Sequence, residues 1–280
     1  ATAGTSTVGD WSKAINELEK EDIQIIATPS TDSDVHNLIA DHCVSMSSVS
    51  KKKERTCWLG TPAGTSLDSA LSLARGFNSE LVSLVMTSAV ANNPITGASE
   101  TINPALLACK CAGIESAIAV SNSLTNKAIK VSSFGVKYKA GELNKMIAGG
   151  IVPFGENDDG ELVCIRCMTT YQGDSLILNE RSMIRSVLYM DRDLRKAFNR
   201  RIGTNDEPSE SSVIQTLENK SKEWYADNLI TKNGSNLYEN AKVRFDGDKI
   251  YLTFDRYIRA PNNFIFITAT NKVYSSTVEV

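Results

Sequence analysis

The sequence predicts an α/β protein (α+β when taken as a whole): a mostly parallel sheet flanked by helices, followed by a smaller α+β C-terminal domain with an antiparallel terminal hairpin. Two observations carry this prediction. Short apolar runs alternate with segments of helical period three times in about the first 130 residues, whereas the last fifty residues are rich in strand patterns. We place the boundary near residue 140, with a core domain at 1–140 and a C-terminal domain at 141–280.

The repeats of the N-terminal domain each combine a buried strand with a helix. Strands are expected in QIIATPS, in RTCWLGTP and over 81–89. Helices are expected over 10–20, 31–46 and 66–77 and in NPALLACKCAG. Asp10 is the expected N-cap of the first helix, and Pro104 lies at the start of the last, where its missing N–H costs little. Such repeats predict parallel strands covered by helices on both faces.

The C-terminal domain changes character. It is predicted to contain a short helix at 141–148 and two strands, GGIVPFG and ELVCIRCMTT, joined by the turn ENDDG. A long basic helix follows over 178–202, and its expected buried stripe is Met183, Val187, Leu188, Leu194, Phe198 and Ile202. Another helix spans about 209–228. The segment KVRFDGDKIYLTF predicts a hairpin around Asp246 and Gly247, and NNFIFITATNKV follows as a strand.

Composition narrows the function classes. The chain has 280 residues, 41% of them hydrophobic, and a net charge of −3, so no global positive field would attract nucleic acid or anionic lipid. No apolar run approaches the roughly 20 residues that span a bilayer. We therefore expect neither nucleic-acid binding nor membrane insertion. The chain begins at Ala1 in a Thr/Gly/Ser-rich stretch, and we expect it to be part of a longer protein.

Motifs for catalysis are missing from the sequence. It contains neither G-x-x-x-x-G-K-[ST] nor G-x-G-x-x-G after a strand, so the default nucleotide-binding interpretation of a parallel sheet is lost. The two histidines, His36 and His42, are six residues apart on a predicted helix and point about 240° apart. We expect them to be surface or capped residues rather than members of a catalytic relay.

The six cysteines allow a metal or redox interpretation that their spacing disfavours. Cys164 and Cys167 lie in a predicted strand, where residues three apart face opposite sides. Cys109 and Cys111 lie in a predicted helix and diverge by about 200°. We therefore expect packing thiols and no metal, cofactor or catalytic residue. Two alternatives stay open. One is a zinc-bound module. The other is a cytosolic α/β enzyme, perhaps thiol-dependent, with a pocket near Pro29, Gly60 and Ala89.

The long basic helix is the strongest charge feature. Seven basic and three acidic residues fall between 179 and 203 in an otherwise acidic chain. A solvated helix face and a surface that docks onto an acidic partner are equally good interpretations. The basic residues are Arg181, Arg185, Arg192, Arg195, Lys196, Arg200 and Arg201.

An ordered set of segments resembles contractile tail sheath proteins of myophages and phage-tail-like particles. The set comprises TSTVGDWSKAINELEKEDIQIIATPS, PALLACKCAGIESAIAVSNSLTNKAI, IRCMTTY, SVLYMDRDLRKAFNRRIGTNDEPS, TLENKSKEWYADNLI and FIFITATNKVYSSTVEV. No single segment is very specific, but their order is, and the resemblance extends over nearly all 280 residues. The family's N-terminal arm and its variable outer insertions are not found in this sequence. The chain therefore looks like the conserved C-terminal part of a longer subunit.

The resemblance implies a structural subunit rather than an enzyme. Such subunits stack as hexameric rings around an inner tube and contract to drive it through a host envelope. The implied partners are other sheath subunits and the inner tail tube protein, and the implied location is the virion tail, assembled in the host bacterial cytoplasm. The seven basic residues become candidates for tube contact. A terminal strand that alternates apolar and polar residues becomes a candidate for β-augmentation between subunits. Its residues are Val273, Tyr274, Ser275, Ser276, Thr277, Val278, Glu279 and Val280.

Overall fold

The computed structural model describes residues 6–93, 95–199, 202 and 209–263. Its centre is a three-stranded parallel sheet. The strands are β1 (Ile25–Ala27), β2 (Thr56–Gly60) and β3 (Val82–Val85), in that spatial order. Helix α2 (Ser33–Met46) connects β1 to β2, and α3 (Leu67–Phe77) connects β2 to β3. The predicted parallel pairing of these strands is confirmed.

Alternating residues of the central strands separate two cores. Cys57 and Leu59 of β2 face a core built with α1 (Val8–Leu18), α2 and α3. Trp58, between them, faces a second core built largely with α4 (Pro104–Ala117). All three β2 side chains are fully buried, as expected for a parallel strand with helices on both faces.

Helix α1 begins earlier than its sequence pattern predicts. Thr7 is the N-cap, with an extended backbone, and its hydroxyl accepts a hydrogen bond from the N–H of Asp10 at 3.3 Å. The Asp10 carboxylate in turn accepts one from the Thr7 N–H at 3.0 Å. The prediction of Asp10 as N-cap was wrong because Thr7 and Asp10 form a capping box, in which the acidic residue occupies the third helical position.

The third predicted strand, over 81–89, is two strands in different sheets. Its first part is β3. Its end starts β4 (Ala89–Asn92), which pairs antiparallel with β5 (Ser99–Ile102) and β6 (Ser133–Phe134) in the order β5-β4-β6. The apolar run continues through both strands without Gly or Pro, so its composition does not reveal the change of sheet.

The C-terminal half contains short strands and longer helices. Helix α5 (Ala140–Ala148) precedes the antiparallel pair β7 (Phe154–Glu156) and β8 (Leu162–Cys164). The remaining elements are α6 (Leu176–Asn179), α7 (Arg181–Phe198), α8 (Glu210–Ala226), β9 (Ile230–Thr231), β10 (Glu239–Asp246), β11 (Lys249–Asp255) and β12 (Tyr257–Ile258). Strands β10 and β11 form the predicted hairpin, with Asp246 opposite Lys249 and Gly247 at φ +58°. The strand predicted after residue 261 lies largely outside the described residues.

Three predictions for this half were wrong. The helix expected over 178–202 is broken at Glu180, whose extended backbone (φ −92°, ψ 115°) pairs in a β-bridge with Met168. Ile202, expected in the buried stripe, is 77% exposed. The strand expected over ELVCIRCMTT ends at Cys164 because the following N–H groups bond to separate partners: that of Cys167 to the Thr125 hydroxyl and that of Thr170 to the Val82 carbonyl.

The division at residue 140 stays a prediction. Met146, Ile151 and Ile184 pack in the same core as residues of α1, α2 and α3. A third core, centred on Met190, Leu217 and Trp224, joins α7 to α8 and to the base of the β10–β11 hairpin. Contacts from the C-terminal half therefore contribute to the central sheet as well as to a core of their own.

The carboxyl end of β2 is filled by backbone. A Cβ atom built on Gly60 would lie 2.3 Å from the backbone nitrogen of Ala105 and 2.4 Å from the carbonyl carbon of Pro104. The first turn of α4 therefore packs directly against the end of the strand. It occupies one of the three positions at which the enzyme alternative predicts a pocket. Only glycine allows this approach.

We expect Gly60→Ala to destabilise the protein by at least about 2 kcal/mol, because α4 would have to move away from the sheet. The measurement is the free energy of unfolding in denaturant. Gly76→Ala is the matched control: Gly76 lies in α3 with nothing within 4 Å of a built Cβ. That change should be neutral or stabilise by roughly 0.5–1 kcal/mol. Equal effects of the two substitutions would contradict the packing argument.

Candidate functional site

Several buried polar contacts converge at the amino-terminal end of α7. Arg181, the first residue of α7, is 1% exposed. Its Nε and Nη2 donate to the two carboxylate oxygens of Glu115 at 2.8 and 2.9 Å. Its other donors reach the Cys57 carbonyl at 2.9 Å, the Ser83 hydroxyl at 3.0 Å and the Thr56 hydroxyl at 3.0 Å. All five N–H groups of the guanidinium are thus used.

The acidic partner is equally enclosed. Glu115 lies in α4, is 3% exposed, and also accepts a hydrogen bond from the Trp58 indole N–H at 2.7 Å. The guanidinium carbon of Arg181 lies 4.5 Å from the centre of the Trp58 ring. Burial alone would raise the pKa of Glu115, but the Arg181 charge and its hydrogen bonds lower it below its ordinary value. The carboxylate is therefore held ionised inside the protein.

Three further arginines of α7 contact the N-terminal half. Arg192 is 8% exposed and donates to Asp22 at 2.7 Å and to the Glu54 carbonyl at 3.0 Å. Arg195 forms an ion pair with the Glu54 carboxylate. Arg185 donates to the carbonyl of Ile118 at 3.1 Å, at the carboxyl end of α4, where a cation is favourable. These residues attach α7 to the segments that precede β1 and β2 and to the carboxyl end of α4.

The structure thus separates the basic residues proposed as tube contacts. Arg181 and Arg192 are buried in contacts within the subunit, and Arg185 and Arg195 are partly buried in such contacts. Lys196 is exposed. Arg200 and Arg201 lie outside the described residues, as do Val273 to Val280. Tube contact by this helix stays a prediction, and it now concerns only the end of α7, where Lys196 is exposed.

The cysteines do not occupy opposite faces of a strand. Cys164 and Cys167 are both buried in the second core, and their thiols are within hydrogen-bond reach of one another. The expectation of opposite faces was wrong because the strand ends at Cys164. Burial, then the contact with Cys167, raises the pKa of Cys164 well above its ordinary value. Burial does the same for Cys111 nearby. Thiolate chemistry is therefore disfavoured.

No group of three or more His, Cys, Asp or Glu side chains within the described ranges is arranged to hold a metal ion. Both histidines are buried, His36 at 1% and His42 at 6% exposure, so the expected surface positions were wrong. His36 Nε2 contacts the Ser30 carbonyl at 2.8 Å, and His42 Nε2 contacts Nη1 of Arg55 at 2.6 Å. Burial lowers the pKa of each histidine, which favours the neutral form.

The segment after Cys167 docks on the edge of the central sheet. The Ser83 hydroxyl donates to the Met168 carbonyl at 2.6 Å, and the Thr170 N–H donates to the Val82 carbonyl at 2.8 Å. The Thr169 hydroxyl donates to the Leu178 carbonyl at 2.6 Å, which connects the segment to α6. Both threonines are fully buried. The segment joins β3 to the start of α7.

A family model described as the phage tail sheath protein central domain matches residues 4–170, more than half of the chain. The chain belongs to the phage tail sheath protein family. It is accordingly a structural protein and not an enzyme, and Arg181, Glu115 and the buried thiols are structural residues of a sheath protein. Comparison with curated protein sequences gives no significant match.

Solved structures of sheath proteins share the fold. The sheath tail protein of Desulfitobacterium hafniense is 14% identical, with a TM-score of 0.70 over 91% of this chain and 61% of that one. The sheath tail protein of Listeria innocua is also 14% identical, with a TM-score of 0.66 and the same coverage. The helical sheath of the anti-feeding prophage in its contracted state is 15% identical, with a TM-score of 0.72 over 96% of this chain and 76% of that one. The chain thus spans 61% of the length of the two sheath tail proteins.

The described part of this sheath protein also presents a projecting hairpin. Strands β10 and β11 form a two-stranded sheet whose paired residues Phe245 and Ile250 are 44% and 39% exposed. At its base, Leu252 and Phe254 pack against the third core. One face of the hairpin is therefore anchored on α8 and continues outward as exposed apolar surface.

None of the helices within the described residues has the length and apolarity needed to cross a membrane.

We expect Arg181→Ala to destabilise this sheath protein by about 3–5 kcal/mol, because Glu115 would be left buried without its cation. Arg181→Lys should recover only part of this loss, since an ammonium cannot reproduce the five-donor fork. The measurement is denaturant unfolding of the purified chain. Lys196→Ala, on the exposed side of the same helix, is the control and should change stability by less than about 0.5 kcal/mol. A similar small effect at Arg181 would contradict its central role.

Proposed function

We propose that this chain is the conserved part of a sheath subunit that polymerises as stacked hexameric rings around an inner tube and contracts to drive the tube through a host envelope. The observation that carries the proposal is the match of residues 4–170 to the central domain of phage tail sheath proteins. Structural likeness to a helical sheath in a contracted state supports it, because that protein belongs to an assembly with a contracted form.

A contractile role requires rigid subunits that repack against one another. The interior of this chain suits that requirement. The Arg181–Glu115 contact and the two cores on either side of the central sheet hold α4, α7 and the strands in one arrangement. Contraction then releases free energy stored between subunits, in a lattice with two stable arrangements, and needs no hydrolytic site.

Links between subunits are proposed for the terminal strand Val273 to Val280, which lies outside the described residues. An added strand needs a sheet with an open edge to receive it. The β10–β11 hairpin supplies a suitable acceptor: in the described part of the chain it has two strands only, and it projects from the third core. We propose that a strand from a neighbouring subunit extends this sheet.

Deleting Tyr274 to Val280 from the complete subunit should abolish tubular sheaths in electron micrographs, because the pairing strand is lost. Circular dichroism and unfolding of the truncated subunit should match those of the parent, which would show that the loss is one of assembly and not of folding. Ser275→Thr with Ser276→Thr is the control, since it keeps the length and the alternation of the strand. Normal sheaths from the truncated subunit would reject the linking role.

We also propose contact between the exposed end of α7 and the inner tube protein. Arg181 and Arg192 act within the subunit, so the candidates for this contact are Lys196, which is exposed, and Arg200 and Arg201, which follow it in the sequence. An acidic tube surface would complement them. Assembly of the sheath around a tube in the bacterial cytoplasm, as part of a phage or phage-like tail, belongs to the same proposal.

Lys196→Glu combined with Arg200→Glu should weaken co-sedimentation of the subunit with purified tubes by roughly tenfold at low salt, and much less at about 0.5 M salt, where charges are screened. Lys13→Glu with Lys20→Glu makes the same charge change at exposed positions of the N-terminal helix region and serves as the control. Unchanged tube binding, or equal loss in the control, would count against contact through α7.

A further inference from the structure

Two consecutive residues at the start of α7 reach to different parts of the subunit. Arg181 binds Glu115 and the central strands, as described above. Glu180, in the extended link between α6 and α7, binds the end of the described C-terminal segment through the side chain of Asn263, whose Nδ2 donates to Oε2 of Glu180 at 2.9 Å. One peptide unit therefore joins the contact to the core and the contact to the C-terminal segment.

Residues 256–263 run back along α7. Arg256 donates to Asp191 at 2.5 Å, near the middle of the helix, and Asn263 reaches Glu180 at its amino-terminal end. Eleven residues of α-helix span about 16 Å, and seven extended residues can cover roughly 23 Å, so the segment is long enough to lie along this part of the helix. Between these points β12 pairs with β9, and the Arg259 N–H donates to the Leu229 carbonyl at 3.0 Å.

The Glu180 side chain is built into a closed polar site. It is fully buried and also accepts hydrogen bonds from the hydroxyls of Ser123 and Ser182, each at 3.2 Å. Nε of Arg166 lies 3.8 Å from its carboxylate. Because the Glu180 side chain is closed to solvent, each hydrogen bond to its carboxylate matters more than it would at the surface. Burial raises the pKa of Glu180 in spite of these partners.

We propose that the Glu180–Asn263 hydrogen bond is a latch that holds residues 256–263 in place along α7. A displacement of Asn263 is transmitted through Glu180 to α7, and through Arg181 to the central sheet. The consequence for neighbouring subunits rests on the linking role proposed above, whereas the latch itself is a property of the single subunit.

The latch is tested by comparing Asn263→Asp with Asn262→Asp in the complete chain. The first change places a carboxylate against the buried Glu180. The second makes the same chemical change at the exposed neighbouring residue. We expect Asn263→Asp to speed backbone hydrogen exchange over residues 256–263 by about tenfold to a hundredfold, read by mass spectrometry, and Asn262→Asp to leave it within about twofold. Exchange in β2 and α4 should stay slow in both, which confirms that the fold is intact.

An exchange of the two side-chain groups provides the rescue. When Glu180→Gln is combined with Asn263→Asp, the amide and the carboxylate trade places. The amide at position 180 can then donate to the carboxylate at position 263, and one negative charge remains near Arg166. We expect slow exchange over 256–263 to return. Unchanged exchange in Asn263→Asp, equal acceleration in Asn262→Asp, or a double variant as fast as Asn263→Asp would each overturn the latch.

Sheath assembly distinguishes the latch from the linking role. If Asn263→Asp both loosens the segment and disrupts tubular sheaths in electron micrographs, and the double variant restores both, the latch also governs assembly. If the segment loosens and is rescued while sheaths form normally throughout, the latch stands without governing assembly, and deletion of Tyr274 to Val280 remains the separate test of the linking role.

Discussion

The buried pair of Arg181 and Glu115 is the contact on which the rest of this structure depends. An ion pair in a protein interior is costly to desolvate, and it is tolerated only when the remaining hydrogen-bonding groups are satisfied. Here the main chain and side chains of the central strands supply partners for the donors that Glu115 leaves free, and Trp58 covers the face of the guanidinium. The arrangement can be completed only when α4, α7, β2 and β3 are all in place. The pair therefore stabilises the packing of these four elements and also disfavours other arrangements of them.

The break between α6 and α7 lets two consecutive residues, Glu180 and Arg181, contact different parts of the subunit. A continuous helix would place residues 180 and 181 about 100° apart on the same cylinder. The extended backbone at Glu180 instead sends its carboxylate toward Ser123 and Asn263 while Arg181 enters the interior beneath the central sheet. The docked segment 168–170 holds this link in place through the bridge between Met168 and Glu180. These short connections join distant parts of the subunit, which is what the proposed contractile role requires of it.

Much of this fold could be predicted from periodicity, and the failures have identifiable causes. The parallel strands, the helices between them and the β10–β11 hairpin follow from local patterns. The role of Arg181 could not be read from charge counting because Glu115 lies 66 residues earlier. A helical wheel would have helped: Arg181, Ile184, Leu188 and Arg192 share one face, which sets two arginines among apolar residues. The break at Glu180 and the end of β8 at Cys164 depend on tertiary hydrogen bonds, which leave no local signature.

Burial protects most of the cysteine thiols from oxidation. Five of the six cysteines (Cys43, Cys57, Cys111, Cys164 and Cys167) are at most 1% exposed. Oxidation of a cysteine needs access to the sulfur, and these side chains are closed to solvent while the subunit stays folded. In the assembly proposed above, a subunit that passes from a reducing cell to an oxidising medium keeps these five thiols reduced for as long as it stays folded.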